Sequence, residues 1–167
     1  MEIVDIINDK DEVVGQAVKE ELYQKMLPHR IVEVLISNDK GELALQLRSR
    51  NKEGYPLYWA PTASGHMHAG EGYEAAALRE LEEEAGVSAK LEFIRKDLFE
   101  GKVFRNNKPI KKMLAWFSAM HNGPFKADSS EVEKIEFFSP EKIRQMIRRG
   151  EKVHPELAFF MKKQSLL

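Results

Sequence analysis

The octapeptide RELEEEAG, residues 79–86, places four glutamates within five positions and answers them with one cation, Arg79. Glu80 and Glu84 are spaced four apart, where like charges on a helix repel by roughly 0.2–0.5 kcal/mol. At about 100° per residue, Glu84 lies about 40° to one side of Glu80 and Glu83 about 60° to the other. The three therefore share one face. Leu81, Ala77 and Ala85 occupy the neighbouring arc. Three carboxylates beside a packing face form the oxygen donor set that hard divalent cations such as Mg²⁺ prefer, and coordination would convert the repulsion into binding. A solvated acidic face is the competing reading, because charge runs commonly just face water.

Other residues could hold an anion next to such a cation. Arg48, Arg50 and Lys52 form a cationic cluster upstream and are suited to phosphate oxygens, or else to a solvated loop face. KVFRNNKPIKK (102–112) carries five cations and no acid, and reads as a mobile basic loop able to guide an anionic ligand. Tyr55, Tyr58, Trp59 and Trp116 offer faces for stacking on a base, although aromatics near a sheet are commonly core. His68 and His154 read as structural or exposed.

The elements that must position these groups follow from pattern and punctuation. EIVDII (2–7) and VVGQAV (13–18) flank a polar turn and read as a hairpin. KEELYQKML is expected to be a short helix stopped by Pro28, so that residues 1–28 form an N-terminal extension. RIVEVLIS and ELALQLR flank NDKG as a second hairpin. A loop follows over 49–58, then an extended piece at 59–63. The segment 72–85 is the best amphipathic helix, with Gly86 at its left-handed cap position. Strands are expected over 90–99, 110–119 and VEKIEFF. Ser139-Pro140 and His154-Pro155 open two C-terminal helices within 139–165. Strands and helices mix without a regular βαβ alternation, which indicates an α+β fold.

The chain has 167 residues, a net charge of −1, 43% apolar and 32% charged residues, which is the balance of one ordinary globular domain spanning 1–167. That balance gives no strong nucleic-acid signal. No run is long enough to span a membrane, no secretory signal opens the chain, and the expected location is cytoplasmic. The absence of cysteine excludes disulfides, thiolate metal sites and thiol nucleophiles.

Read with its flanks, the acidic helix is specific. GHMHAGEGYEAAALRELEEEAGV (65–87) resembles the Nudix box at all nine specified positions of a 23-residue pattern. The resemblance implies an α/β/α sandwich around a mixed sheet, with a loop–helix–loop catalytic element. It implies metal-dependent hydrolysis of a diphosphate linked to a second group, X, with Mg²⁺ or Mn²⁺ as cofactor and a small diphosphate-containing molecule as substrate. It assigns Glu80, Glu83 and Glu84 to the metal, the Gly65 carbonyl to the same site, Glu71 to a pair with Arg79, and Leu81 and Val87 to the sheet. The base is left between Glu80 and a carboxylate outside the box.

Beyond the box, residues 4–30, the segment LQLRSRNKEGYPLYW and the stretch DSSEVEKIEFFSPEKI are similar to the Nudix branch containing isopentenyl-diphosphate isomerase. Arg48, Lys52 and Pro56 fall in matching places. That similarity implies further metal candidates in His29, His66 and Glu131, with His66 beside the substrate. Those isomerases, however, use a cysteine where this chain has Ser64, ahead of Gly65-His66, and a glutamate where it has Ser129. A serine hydroxyl does not replace a thiol as an acid–base group. Hydrolysis is therefore the expected activity, with isomerisation and a non-catalytic ligand-binding module as alternatives. A homodimer through the N-terminal hairpin is left open.

Overall fold

A computed structural model describes residues 1–164. Strands β1 (Ile3–Ile7) and β2 (Val13–Val18) form a separate two-stranded sheet. The main sheet comprises β3 (His29–Ser37), β4 (Leu43–Arg48), β5 (Trp59–Pro61), β6 (Ala63–His66), β7 (Glu92–Lys102), β8 (Pro109–Met120) and β9 (Val132–Phe138). Helix α1 (Tyr73–Ala85) covers one face, and α2 (Pro140–Arg148) with α3 (Pro155–Lys163) covers the other. The result is a three-layer α/β/α arrangement on a mixed sheet, because β3 runs parallel to β8 while the other pairs are antiparallel.

Alternation along β3 feeds both layers. Val32, Val34 and Ile36 pack with Ala77, Leu81 and Ala85 of α1. Ile31 and Leu35 pack with Leu157, Phe160 and Trp116 on the opposite side. The C-terminal helices begin at Ser139-Pro140 and His154-Pro155 as the punctuation predicts, with Ser139 Oγ accepting from Lys142 N–H. Their expected limit at 165 lies outside the described residues.

Three expectations are corrected. Residues 19–27 form one 3₁₀ turn (Lys19–Glu21) and further turns, since only Leu22 among them is fully buried and no apolar stripe sustains a helix. The second hairpin opens immediately: β3 and β4 pair only at Ser37–Leu43. Beyond it, β3 turns to β6 and β4 to β5 and β9. Thr62 fills the split, its Oγ1 accepting from Ile36 N–H and donating to Ala44 C=O. The basic loop shrinks to 103–108, because β7 and β8 extend through residues 102 and 109–112.

The splayed sheet makes room for a cleft. The N-terminal hairpin braces the loop ahead of α1: Ala69 N–H donates to Ile3 C=O (2.8 Å) and Gly70 N–H to Asp5 Oδ2 (2.9 Å). Asp11 receives Arg30, Tyr73 and Lys96 at 2.6–2.7 Å, fixing the hairpin turn against the start of α1.

Candidate active site

The outer wall of the cleft, whose volume is about 1280 Å³, is the acidic face of α1. The apolar stripe of the helix sets the rotation that turns this face inward, and Gly86 ends it at φ 68° with its N–H on Glu82 C=O. Glu80 and Glu84 are buried, whereas the Glu83 side chain is 57% exposed. Glu84 Oε1 accepts from Ser64 N–H (2.7 Å) and from Gln46 Nε2 (3.2 Å), the latter reaching through the split sheet. Burial and the adjacent Glu84 charge push the Glu80 carboxyl up to about 7, against the pull of Arg79. Burial likewise pushes Glu84 up to about 7, against the Ser64 N–H.

Gly65 passes directly over Glu80, and any Cβ there would overlap the carboxyl group. The glycine in the motif is thus a matter of space. Glu71 and Arg79 meet in a bidentate pair, Nε to Oε2 and Nη2 to Oε1, both 2.8 Å. Arg79 also donates to Glu80 Oε1 (2.7 Å) and to His66 C=O (3.1 Å), so one guanidinium ties the loop to the helix. Among the described residues, no three acidic or histidine side chains converge at ligating distance. The donor chemistry nonetheless fits a divalent cation. Two buried carboxylates share one face of α1, Arg79 pairs with Glu80 and Glu71, and Glu83, at the exposed edge of that face, reaches Arg79 at 3.4 Å.

The upstream cations separate. Lys52 lines the cleft and pairs with Glu131, which precedes β9. Arg48 also lines it, but spends its guanidinium on Gly54 C=O (2.7 and 3.0 Å) and Tyr55 C=O, closing the 49–58 loop. Arg50 lies outside the cleft and pairs with Glu133 (3.2 Å). Of the aromatics, Trp116 is fully buried against Phe160 and Trp59 packs on Phe138, both core. Tyr55 lines the cleft beside Phe104, with ring centroids 4.8 Å apart. His66 lines it too, its ring stacked on His29 (5.1 Å) and its Nε2 2.9 Å from Tyr23 Oη. His29 opens β3 and is fully buried.

The inner wall contains residues that sequence reasoning missed. Lys112 and Glu156 form a buried pair (3.1 Å) at the cleft, with His154 alongside. The sequence puts Lys112 at the overlap of the basic loop 102–112 and the strand expected over 110–119; it lies in β8 opposite His29. Glu33 sits behind them, fully buried, with Oε2 lacking a hydrogen-bond partner. One signal was available: Glu33 falls in phase with Ile31 and Leu35, an acid in a buried apolar register.

With this geometry in view, comparison with known proteins places the chain among recognised relatives. The NUDIX domain family matches residues 27–158. "Uncharacterized Nudix hydrolase PA4841" from Pseudomonas aeruginosa is 32% identical over 140 residues, covering 84% of this chain and 80% of that protein. "Uncharacterized Nudix hydrolase YfcD" from Escherichia coli K12 is 32% identical over 142 residues, covering 85% and 76%. Among solved structures, DR0079 from Deinococcus radiodurans superposes with a TM-score of 0.82 at 23% identity, covering 97% of this chain and 98% of that one. A MutT protein from Methanosarcina mazei gives 0.69 at 23% identity, covering 81% and 91%.

Proposed function

Because the chain belongs to the Nudix hydrolase family, we propose that it cleaves a diphosphate linkage in a nucleoside diphosphate derivative or similar small molecule, with Mg²⁺ or Mn²⁺. The observation that carries this is the buried Glu80–Glu84 pair, whose carboxyls rise to about 7 beneath a glycine with no room for a side chain. Glu80, Glu83 and Glu84, with the Gly65 carbonyl, would hold the cation. Once bound, it supplies Lewis acidity and an acidified water.

The chain's own residues divide the remaining work. The Arg79–Glu71 clamp fixes the loop so that Gly65 and Glu80 keep one geometry. Arg79 engages Glu80 Oε1 and leaves Oε2 outside that bond, available to the cation or to a proton. Lys52, at the cleft mouth beside Glu131, is placed to meet phosphate oxygens; Arg48 supports it by holding the loop. Isomerisation lacks its acid–base thiol, since there is no cysteine and the backbone N–H of Ser64 is committed to Glu84. Among the described residues, no helix is long and apolar enough to cross a membrane, and we read the working compartment as the cytoplasm.

The test is a substrate panel: nucleoside di- and triphosphates, dinucleoside polyphosphates, nucleotide sugars, coenzyme A and prenyl diphosphates, each with Mg²⁺, Mn²⁺ or EDTA. Metal-dependent release of phosphate or nucleotide is expected, with Glu84→Gln lowering turnover about 100-fold or more. Saturable binding without hydrolysis under Mg²⁺ would instead identify a binding module.

A further inference from the structure

The inner wall of the cleft differs from the outer wall in chemistry, and its groups are built for a ligand edge. Glu156 stands at the second position of α3, its backbone N–H donating to Nδ1 of His154 (3.1 Å). That bond leaves the His154 proton on Nε2, 4.0 Å from Glu156 Oε2. Burial pushes His154 down to about 4, so it is neutral near pH 7. Lys112 Nζ donates to Glu156 Oε2 (3.1 Å) and sits 5.3 Å from the Tyr23 ring centroid. Both charges survive burial: Lys112 is held above its ordinary range by Glu156, and Glu156 below its own by Lys112 and His154. Behind them, Glu33 is held well above its ordinary value by burial and the Glu156 charge, and its Oε2 is unpartnered.

The cleft thus presents a cationic donor and an anionic acceptor side by side. An aromatic border of mutually tilted rings stands next to them, with the Tyr55 ring 4.6 Å from His154 and 4.8 Å from Phe104, the latter 46% exposed. A carbonyl adjacent to a ring N–H satisfies both members of the pair at once. Sugar hydroxyls do not require the aromatic border, and a prenyl chain would leave the charges unsolvated.

Given the diphosphate-hydrolase reading, on which this rests, we infer that Lys112 and Glu156, bordered by Tyr55 and Phe104, form the subsite for the base of a nucleotide substrate, and that this base has a carbonyl beside a ring N–H. Guanine and uracil have that edge; adenine does not.

The test is equilibrium binding to the full chain in EDTA, by calorimetry, of uridine, guanosine and adenosine 5′-monophosphates, 3-methyluridine 5′-monophosphate and ribose 5-phosphate. Uridine and guanosine monophosphates should bind about tenfold or more tighter than the adenosine, N-methylated and base-free probes, each lost hydrogen bond to a charged group being worth at least that. Phe104→Ala, at an exposed rim position, should weaken uridine monophosphate while leaving ribose 5-phosphate unchanged. Equal affinities across the panel, or no binding of any probe to millimolar concentration by folded protein, overturns the inference. No turnover is involved, so a chain that hydrolyses nothing still answers the question. Conversely, metal-dependent hydrolysis without base preference keeps the proposed function and removes the subsite.

Discussion

The outer and inner walls of one cleft bury acids in opposite ways. On α1, Glu80 has Arg79 as its ion-pair partner and Glu84 has only the neutral Ser64 N–H and Gln46 amide, and both carboxyls are driven up to about 7. At α3, Glu156 is at least as buried, yet Lys112 holds its carboxyl below the ordinary range. The first wall carries negative charge that the protein does not neutralise, and so leaves room for a cation from outside. The second balances its own charges within the chain. Burial alone therefore does not identify an ion site; uncompensated burial does.

This contrast gives the largest expected effect to the completed pair. Lys112→Met leaves Glu156 buried without its counter-charge and beside Glu33, and should cost about 3–5 kcal/mol in denaturant unfolding. The double substitution Lys112→Met with Glu156→Gln should recover most of that loss, because no unpaired charge remains. If the single substitution were neutral, the inner wall would be no more self-sufficient than the outer one.

The same difference explains what was legible in the sequence. The outer wall is local: Gly65 in β6, Glu71 in the loop that follows and residues 79–87 along α1 and just past it are contiguous in the chain, so a linear pattern with fixed spacing captures it. Lys52 and Glu131 come to that cleft from 79 residues apart, and only family likeness pointed to Glu131. The inner wall is assembled by register. Lys112 meets His29 through the parallel β3–β8 pairing, and Glu156 arrives because Trp59 C=O accepts from His154 N–H and docks α3 on β5. Nothing in KPIKK or HPEL encodes those meetings. Arg50 shows the converse failure. Grouped with Arg48 and Lys52 by proximity in the chain, it lies in the turn past the end of β4, where its backbone N–H and guanidinium both go to Glu133, outside the cleft. The hairpin at 37–43 was readable from NDKG, but the split beyond it was not, since it depends on Thr62 bonding both strands.

The outer wall should respond with the opposite sign. Without metal, an acid whose folded carboxyl lies near 7 binds protons that the unfolded chain, near 4.5, has already released. Its contribution to stability is present below pH 4.5 and is lost as pH rises to 7. Glu84→Gln does not suffer that loss. In EDTA the variant should gain on the wild-type chain progressively between pH 5 and 7.5, by about 1–3 kcal/mol in all, since each pH unit in that interval is worth at most about 1.4 kcal/mol. The buried histidines titrate in the same window but are common to both proteins and cancel in the difference. Adding Mg²⁺ should stabilise the wild type and erase the advantage. A flat difference across this range would mean that Glu84 is already compensated, and the distinction between the walls would fail.

The finest probe is steric. Gly65→Ala changes no charge and removes no hydrogen bond, but its methyl group would enter the space of the Glu80 carboxyl. β6 is pinned to β3 on both sides of this residue, at Ser64 and His66, so the strand cannot easily recede. Glu80 must move instead, loosening its contact with Arg79. A displacement of about 1 Å at a reacting group costs up to about 100-fold, so turnover should fall about ten- to 100-fold. Stability should change little, because a carboxyl that leaves its buried position regains water and sheds the strain that pushed it to about 7. Metal-titrated kinetics beside thermal unfolding separate the two quantities. Loss of stability without loss of turnover would make Gly65 a packing residue of β6. The predicted pattern, turnover lost and fold kept, ties the glycine to the carboxylate beneath it.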